Sequence, residues 1–313
     1  MFKRVIFFTE SGDGIGLGHL SRCNAIAKEI FNKGIPYIMH VYNRGNINSN
    51  LKGFFYEDWK KLNPKNYVNK NDLIIVDSYL VDSLWLNKIE GTVVCLDDYN
   101  RITYPVDLVI NPNIFGSDID YSNQKAKVVG GKNFVILRSP FRIGKVDFIN
   151  KTKPTLLITL GGSDYRNLNQ KLIKICSNMN LYNIRVIAPT GLKNTFKKII
   201  EIPYVSDEEM ADEIINSDVI ISACGQTLHE IASINRPVIG ISIDKDQVLN
   251  QKYYFDIDFL KEKISWDDDE LEKLVSKELV RLSLKSERKK HFSQFNEFTL
   301  NGLENVLKKI LEL

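Results

Sequence analysis

Short, continuously apolar runs alternate with longer amphipathic segments along the whole chain. The apolar runs are rich in β-branched residues, which is typical of strands in a parallel sheet covered on both faces. The runs that predict strands are Arg4–Thr9, Tyr37–Val41, Leu73–Val76, Thr92–Leu96, Leu108–Ile110, Leu156–Leu160, Arg185–Ala188, Val219–Ser222 and Val238–Ile243. The segments with helical spacing are His19–Lys33, Ser83–Lys88, Asn167–Met179, Asp207–Ile215 and Thr227–Ile234. This alternation predicts a doubly wound α/β architecture.

A polar segment near the middle of the chain separates two similar halves. It extends from Arg138 to Thr155 and precedes a new strand with its own glycine turn. Each half begins with an apolar strand, RVIFF or TLLITL, and glycines follow that strand. The pattern predicts two Rossmann-like domains, residues 1–146 and 147–313, that face each other across a cleft. The charged segment after Asp267 is expected to form a helical tail that packs back across the domains.

Composition and charge narrow the class of protein. Of the 313 residues, 43% are hydrophobic and 26% are charged, which is ordinary for a soluble globular protein. The formal net charge is +3 and the lysines are scattered, which argues against a nucleic-acid-binding surface. No apolar run has the length of a signal-peptide core or a membrane span. The four cysteines form no CxxC pair, so we expect reduced core thiols in a cytoplasmic protein without membrane insertion.

The segment SGDGIGLGHLSRC, which starts at Ser11, is the first candidate site. Its glycines Gly14, Gly16 and Gly18 stand directly before His19, where a strand is followed by a helix. It is not the dinucleotide fingerprint, because His19 occupies the place of the third glycine and no acidic residue ends the second strand. The helix dipole is expected to lower the pKa of His19, and neutral imidazole accepts a proton near pH 7. The alternative is a capping or buried structural histidine.

Two turns in the second half predict a site for a diphosphate. Gly161, Gly162 and Ser163 follow a buried strand, and adjacent glycines let backbone N–H groups approach a phosphate closely. Another helix begins near Gln226 or Thr227 after a turn of small residues, and helix N-termini bind anions. The alternative for the first turn is an ordinary loop between a strand and a helix.

Polar residues beyond these turns are candidates to bind the other parts of a nucleotide. Glu230 lies one turn into the second helix, where its carboxylate either accepts hydrogen bonds from ribose hydroxyls or only complements the helix dipole. Gln247, Asn250 and Gln251 cluster after the next strand, where ligands bind in open α/β sheets. The sequence leaves open which of these three contacts a substrate. His229 is expected to be structural.

Acidic residues and a tyrosine follow two predicted strands of the first half. Asp77 and Tyr79 come after one strand, and Asp97 and Asp98 come after the next. Adjacent carboxylates suggest a metal, but no histidine or third carboxylate stands at ligand spacing. The Asp97–Asp98 pair is therefore predicted to be solvated, and the chain is predicted to have neither a metal nor a cofactor.

Together these motifs resemble the family of UDP-2,4-diacetamido-2,4,6-trideoxy-β-L-altropyranose hydrolase, called PseG, which is related to GT-B glycosyltransferases such as MurG. The segments that carry the resemblance are GIGLGHLSRC, DSYLVD, CLDDYNR, VDLVINPN, VVGGKNFVILRSPFR, LGGSDYRNLNQ and ISACGQTLHE, in the order of the family. The resemblance covers most of the chain and implies a GT-B-like fold. Phe8 and Glu10 depart from the family pattern, because the family usually has an Arg and an Asp there.

The resemblance implies that the chain hydrolyses the C1–O bond of a UDP-linked diacetamido-trideoxy sugar in the biosynthesis of pseudaminic-acid-type sugars. By resemblance, His19 corresponds to the catalytic base, Tyr79 to a tyrosine near the sugar, and the C-terminal motifs to the UDP site. The residues implied to contact the substrate are Gly16, Gly18, Arg22, Asp77, Gly161, Gly162, Ser163, Gly225, Gln226, Thr227, Glu230, Gln247 and Asn250. The implied partner is the UDP-sugar alone, with the protein a monomer or weak oligomer.

A UDP leaving group explains why the motifs offer so few candidate catalytic residues. UDP is a stable anion, so a base that activates water and amides that hold the diphosphate suffice, without a general acid or a metal. Attack opposite the leaving group predicts inversion at C1. The main alternative is a glycosyltransferase of the same fold, in which His19 deprotonates an acceptor hydroxyl. The motifs are also compatible with a non-hydrolysing epimerase and with a non-catalytic UDP-sugar-binding protein.

Overall fold

The chain divides into two units, each with its own parallel sheet. The computed structural model describes residues 2–12, 14–45, 54–147, 151, 153–161, 164, 166–189, 191–192, 198–203, 205–294 and 300–313. Unit 1 comprises Met1–Arg138 and Asn301–Leu313, and unit 2 comprises Ser139–Leu300.

Unit 1 is built on a sheet of seven described strands. The strands are β1 (Val5–Gly12), β2 (Tyr37–Arg44), β3 (Phe54–Tyr56), β4 (Leu73–Asp77), β5 (Thr92–Leu96), β6 (Leu108–Asn111) and β7 (Lys127–Gly130). Its helices are α1 (Gly18–Asn32), α2 (Ser83–Leu86) and α9 (Gly302–Leu311). The spatial order is β3-β2-β1-β4-β5-β6-β7, so the strand order reverses between β1 and β4. Thr9 pairs with Asp77 at this switch point.

Unit 2 is built on a sheet of six described strands. The strands are β8 (Thr155–Thr159), β9 (Asn183–Ile187), β10 (Ile199–Ile202), β11 (Val219–Ala223), β12 (Val238–Ser242) and β13 (Ile264–Ser265). The helices are α3 (Leu168–Met179), α4 (Asp207–Ile215), α5 (Gln226–Ile234), α6 (Val248–Asp256), α7 (Leu271–Ser283) and α8 (Lys285–Gln294). The order β10-β9-β8-β11-β12-β13 reverses between β8 and β11. Open α/β sheets bind ligands at the carboxyl ends of strands beside such a reversal.

Strand β1 shows why its apolar run is continuous. Val5 and Phe7 pack on one face of the sheet with side chains of α1 and α9. Ile6 and Phe8 point to the other face, where they pack with Trp59 and other apolar side chains. Successive strand residues alternate between faces, so a strand covered on both sides needs apolar residues at every position. The predicted doubly wound α/β fold is confirmed, and each predicted strand and helix has a counterpart in the structure.

The last helix, α9, belongs to unit 1. Its apolar residues Leu303, Val306, Leu307 and Ile310 join the core that contains Val5 and Phe7. This location differs from the predicted boundary, because residues 139–146 lie with unit 2 and residues 301–313 with unit 1. The reason is that the apolar face of α9 covers the sheet of unit 1. The predicted cleft between the domains stays a prediction.

The helices are also informative about membranes. Throughout the described ranges, every helix is too short or too polar to span a bilayer.

Candidate functional site

A glycine turn after β1 brings His19 to the carboxyl end of the sheet in unit 1. The N–H group of Gly16 donates to the carbonyl oxygen of Gly12 at 2.8 Å, and Gly16 has a φ of 82° that favours glycine. Helix α1 then begins at Gly18, so that His19 lies in its first turn. Because β4 is the neighbour of β1 and ends at Asp77, the turn places His19 beside Asp77.

His19 and Asp77 form a buried imidazole–carboxylate pair. Nδ1 of His19 lies 2.7 Å from Oδ1 of Asp77. The exposed fraction is 7% for His19 and 0% for Asp77. Because a carboxylate only accepts hydrogen bonds, Nδ1 carries the hydrogen in the neutral ring and Nε2 is left as the proton acceptor. This arrangement is the one that a general base requires.

Arg22, one turn further along α1, holds two carboxylates at once. Its Nε donates to Oδ2 of Asp77 at 2.6 Å, and its Nη2 donates to Oδ1 of the same residue at 2.7 Å. Its Nη1 donates to Oδ1 of Asp98 at 2.8 Å, and Asn113 donates to the same oxygen at 2.6 Å. Arg22 and Asp77 thus hold His19 in place, and their predicted contacts with the substrate stay predictions.

Tyr79 lies over the imidazole and is fixed at both of its ends. Its ring meets the ring of His19 edge-on at 4.6 Å, and its hydroxyl donates to Oδ2 of Asp98 at 2.5 Å. Arg101 donates to the carbonyl oxygens of Ser78 and Tyr79 at 2.9 and 3.0 Å. Tyr79 is 38% exposed, so it is the member of this group that a ligand in solution reaches most readily.

Glu10, on β1, lies near Nε2 of His19, the ring nitrogen that does not contact Asp77. Its Oε1 accepts the backbone N–H of Tyr79 at 2.6 Å and lies 3.7 Å from Nε2 of His19. Its Oε2 is buried and has no hydrogen-bond partner among the described residues. His19 therefore has a carboxylate near each of its ring nitrogens.

The charges around His19 determine its protonation. Burial lowers the pKa of His19, but the charge and hydrogen bond of Asp77 together with the charge of Asp98 outweigh burial, so that the pKa is raised above 6.5. The expectation of a lowered pKa is therefore wrong, because the acidic side chains around the ring together outweigh the effects that lower it. Burial raises the pKa values of Asp77 and Asp98, but the charges of Arg22 and His19 and the hydrogen bonds that these carboxylates accept together outweigh burial and lower both. Burial and Asp98 raise the pKa of Tyr79.

The Asp97–Asp98 pair is not solvated, in contrast to the prediction. Asp97 and Asp98 are 1% and 4% exposed. Asp97 accepts hydrogen bonds from the hydroxyls of Tyr104 and Tyr121 and from the backbone N–H of Asn100. Across the part of the chain that the structure describes, no group of three or more His, Cys, Asp or Glu side chains is arranged to hold a metal ion.

In unit 2, helices α3 and α5 differ at their N-termini. The carboxylate of Asp164 accepts the N–H groups of Leu168 and Asn169 at the start of α3, each at 2.8 Å. Helix α5 has Gly225 as its N-cap, without a side-chain cap. Its first turn, with the half-buried Gln226 and Thr227, therefore lacks the carboxylate cap that α3 has, and the predicted anion site there stays a prediction.

The predicted glycine turn after β8 is described only in part. Gly161 has a φ of 89°, and a Cβ atom built on it would meet nothing within 4 Å. Gly162 and Ser163 lie outside the described residues, so their predicted phosphate contacts stay predictions.

The three polar residues after β12 have different surroundings. Oε1 of Gln247 accepts the N–H groups of Cys224 and Ile243 at 3.1 and 3.2 Å, which joins the loops after β11 and β12. Gln251 donates to two carbonyl oxygens of the sheet, at Gly240 and Ile264. Oδ1 of Asn250 is buried without a partner among the described residues. Gln251 therefore stabilises the sheet, which leaves Gln247 and Asn250 as candidate ligand contacts.

Helix α5 also carries two fully enclosed polar side chains. Glu230 is completely buried, so ribose hydroxyls reach its carboxylate only if neighbouring side chains move. Nδ1 of His229 lies 2.9 Å from the hydroxyl of Tyr254 inside unit 2, and this buried contact agrees with the structural role expected for His229.

Sequence reasoning missed the site roles of Glu10, Asp98, Arg101 and Asn113. Glu10 was visible as a carboxylate inside an apolar strand, since such a residue needs a polar partner. Asp98 was visible only as one of two adjacent acids, and nothing in the sequence marks its pairing with Arg22, which is 76 residues away.

Comparison with known proteins agrees with this fold and supports the resemblance seen in the motifs. No protein-family model matches the chain. A curated Helicobacter pylori protein, "Pseudaminic acid cytidylyltransferase and UDP-2,4-diacetamido-2,4,6-trideoxy-beta-L-altropyranose hydrolase", is 26% identical over 79% of this chain and 46% of its own length. The chain thus spans about half the length of the curated relatives that it matches.

Solved structures share the fold over nearly the whole chain. MurG of Acinetobacter baumannii superimposes with a TM-score of 0.64 at 15% identity, covering 99% of this chain and 100% of its own. The MnaA–UDP structure of Staphylococcus aureus gives 0.66 at 12% identity, covering 99% and 96%. The fold is therefore that of the GT-B glycosyltransferases, and the predicted GT-B-like class is confirmed. The resemblance of the sequence to a PseG-type enzyme is likewise confirmed.

Proposed function

We propose that this protein hydrolyses a UDP-linked diacetamido-trideoxy sugar at its C1–O bond, in the biosynthesis of pseudaminic-acid-type sugars. The observation that carries the proposal is the buried His19–Asp77 pair at the carboxyl end of the sheet in unit 1. The pair leaves Nε2 of His19 as a proton acceptor. The Helicobacter pylori relative, whose name includes a UDP-sugar hydrolase, supports the substrate class.

In the proposed reaction, Nε2 of His19 takes a proton from a water molecule as the water oxygen forms a bond to C1. The C1–O bond to UDP breaks, its electron pair leaves with UDP, and the configuration at C1 inverts. Asp77 stabilises the imidazolium that forms, because its carboxylate accepts the Nδ1 hydrogen throughout. General-base catalysis of this kind contributes about 10²–10⁴-fold. Tyr79 packs against the sugar from its position over the imidazole.

Unit 2 is proposed to bind UDP. The amides at the start of α5, at the N-cap Gly225 and at Gln226 and Thr227, hold the diphosphate, and Glu230 binds the ribose. UDP leaves as an anion stabilised by these amides, so the reaction needs neither a general acid nor a metal. We therefore expect EDTA to leave the rate unchanged. The reaction is proposed to take place in the cytoplasm.

A glycosyltransferase is the second candidate, because glycosyltransferases such as MurG share the fold. In that case His19 deprotonates a hydroxyl of an acceptor molecule instead of water. Turnover without any acceptor separates the two functions, since a hydrolase needs water alone.

The decisive experiment is incubation of the protein with a panel of UDP-sugars in ¹⁸O-labelled water. Hydrolysis at C1–O places ¹⁸O on the anomeric carbon of the free sugar, seen by mass spectrometry, and NMR shows an inverted anomer at early times. Label in the phosphate of UDP would mean attack at phosphorus and would overturn the role of His19.

His40 offers a matched control for His19. It is a second buried histidine of unit 1, and its Nδ1 lies 2.5 Å from Oε1 of Glu57. His19→Gln is expected to lower kcat about 10²–10⁴-fold, whereas His40→Gln keeps kcat within about threefold. Equal losses in the two variants would assign His19 a purely structural role.

A further inference from the structure

Glu10 has a buried position that its one described hydrogen bond does not explain. It is 1% exposed and lies on β1, at the switch point of the sheet in unit 1. Oε1 accepts the N–H of Tyr79, whereas Oε2 has no partner among the described residues. A neutral amide oxygen would serve equally well as the acceptor for one backbone N–H group. The hydrogen bond to the backbone of Tyr79 therefore does not explain why this position has a carboxylate.

The distance between Glu10 and His19 suggests what the carboxylate does. Oε1 lies 3.7 Å from Nε2 of His19, which is too long for a direct hydrogen bond. One water molecule at about 2.8 Å from both atoms spans such a gap with a hydrogen directed at each. Nε2 is also the ring nitrogen that the pairing with Asp77 leaves as a proton acceptor.

We propose that Glu10 is a second catalytic carboxylate, which orients the nucleophilic water by accepting one of its hydrogens while Nε2 of His19 takes the other. This inference rests on the proposed hydrolysis. The oxygen–hydrogen bond on the His19 side breaks, the oxygen–C1 bond forms, and the C1–O bond to UDP breaks with its electron pair. The second hydrogen stays on the new C1 hydroxyl, which remains hydrogen-bonded to Glu10.

Charge supports the same role. The groups that face His19 are Asp77 from β4, Arg22 from α1, Asp98 and Tyr79 from the loops, and Glu10 from β1. Arg22 already pairs with two carboxylates, Asp77 and Asp98. Glu10 adds a further negative charge, and among the described residues no lysine or arginine pairs with it. Cleavage of a glycosyl C1–O bond builds positive charge on the sugar ring, and the imidazole becomes a cation in the same step. A carboxylate beside both stabilises the transition state.

The test compares Glu10→Gln with Asp72→Asn. Gln keeps the acceptor for Tyr79 but removes the charge. Asp72 is the control: it is a buried carboxylate of the same unit that accepts a backbone N–H, from Asn69 at 2.8 Å, and it pairs with Arg4 just before the amino end of β4. In Glu10→Gln we expect kcat to fall about 10–100-fold, KM to stay within about threefold, and the pKa of His19 to fall measurably. Asp72→Asn should leave kcat and the His19 pKa unchanged.

Two readouts separate this inference from the proposed function. NMR titration of the His19 ring needs no substrate, and an unchanged pKa in Glu10→Gln would overturn the role of Glu10. A raised KM at unchanged kcat would also overturn it, since that result means only a displaced Tyr79. Glu10→Asp keeps the charge, so it should retain the raised pKa of His19 and recover part of kcat. A wild-type protein that hydrolyses no UDP-sugar would refute the proposed function instead.

Discussion

At the scale of residues, the position and protonation of the buried imidazole depend on a series of paired charged side chains. His19 bonds to Asp77, Asp77 to Arg22, and Arg22 to Asp98. Removing one partner of a buried ion pair costs about 3–5 kcal/mol, because the other charge is left uncompensated. The network therefore holds the site as a unit, and each member influences the protonation of His19.

Asp77→Asn tests the carboxylate that holds the base. Asn removes the negative charge and offers an N–H donor to Nδ1, which favours the tautomer with hydrogen on Nε2. We expect kcat for UDP-sugar hydrolysis to fall about 10²–10⁴-fold. The control is Asp218→Asn in unit 2, where a buried carboxylate accepts the N–H of Thr155 at 2.8 Å. An Asp77→Asn variant that is folded by circular dichroism and fully active would contradict the assignment.

The pH profile follows from the same contact. The base works as neutral imidazole, so the rate falls as the pH drops through the pKa of His19. Asp77 raises that pKa above 6.5, and the acid limb of kcat/KM is therefore expected above pH 6.5. In Asp77→Asn the residual activity should show an acid limb at lower pH, because a charge that stabilises the imidazolium is gone. An acid limb that is identical in both proteins would mean that another group titrates.

The sequence predicted His19 and the neighbourhood of Asp77 but not the charges between them. Strand order explains the difference. A glycine turn before a helix is a local signal, whereas the meeting of Arg22 with Asp98 depends on β5 lying two strands from β1. Glu10 departs from the family pattern in the sequence itself, but its distance to His19 depends on how the turn folds back.

At the scale of elements, central strands were predictable and edge strands were not. Strands β1, β4 and β8 are buried at nearly every position, which gives continuous apolar runs. The strands that the apolar pattern did not predict are β3, β7, β10 and β13. They lie toward the edges of the sheets and are two to four residues long, and several of their side chains are exposed. A strand with one neighbour needs less apolar cover, so its sequence carries a weaker signal.

The start of α5 supplies a prediction at this scale. A Cβ on Gly225 would come no closer than 3.5 Å to another group, so Gly225→Ala should fold normally. The new methyl group lies at the helix start that is proposed to hold the diphosphate. We expect UDP to bind about 10-fold or more weakly, measured by calorimetry, because the amides lose close access to phosphate.

Gly18→Ala is the matched control for Gly225→Ala. Gly18 begins helix α1, and a Cβ there would meet nothing within 4 Å. The proposed UDP site lies in unit 2, so Gly18→Ala should leave the affinity for UDP unchanged. Equal weakening by both substitutions would mean that α5 is not the diphosphate site.

At the scale of the whole molecule, the order of elements along the chain differs from the division into units. The chain forms most of unit 1, then all of unit 2, and finally returns to unit 1 with α9. Four apolar side chains of α9 complete the core around β1, and Asn305 donates to the carbonyl oxygen of Asn133 at 2.8 Å. The amphipathic pattern of the tail predicted a helix, but which sheet it covers depends on the finished fold.

Gly302→Ala tests whether α9 stabilises unit 1. A Cβ on Gly302 would lie 2.0 Å from the backbone carbonyl oxygen of Val135, so the helix must shift and its apolar side chains lose contact. Overpacking of this kind costs about 1–3 kcal/mol or more, which lowers the melting temperature by several degrees. Lys308→Ala, on the exposed face of the same helix, should change stability by less than about 0.5 kcal/mol. Because α9 packs on the core behind β1, this loss of stability should accelerate hydrogen exchange more in β1 than in β8 of unit 2. Equal acceleration in both strands would mean that α9 does not stabilise unit 1 in particular.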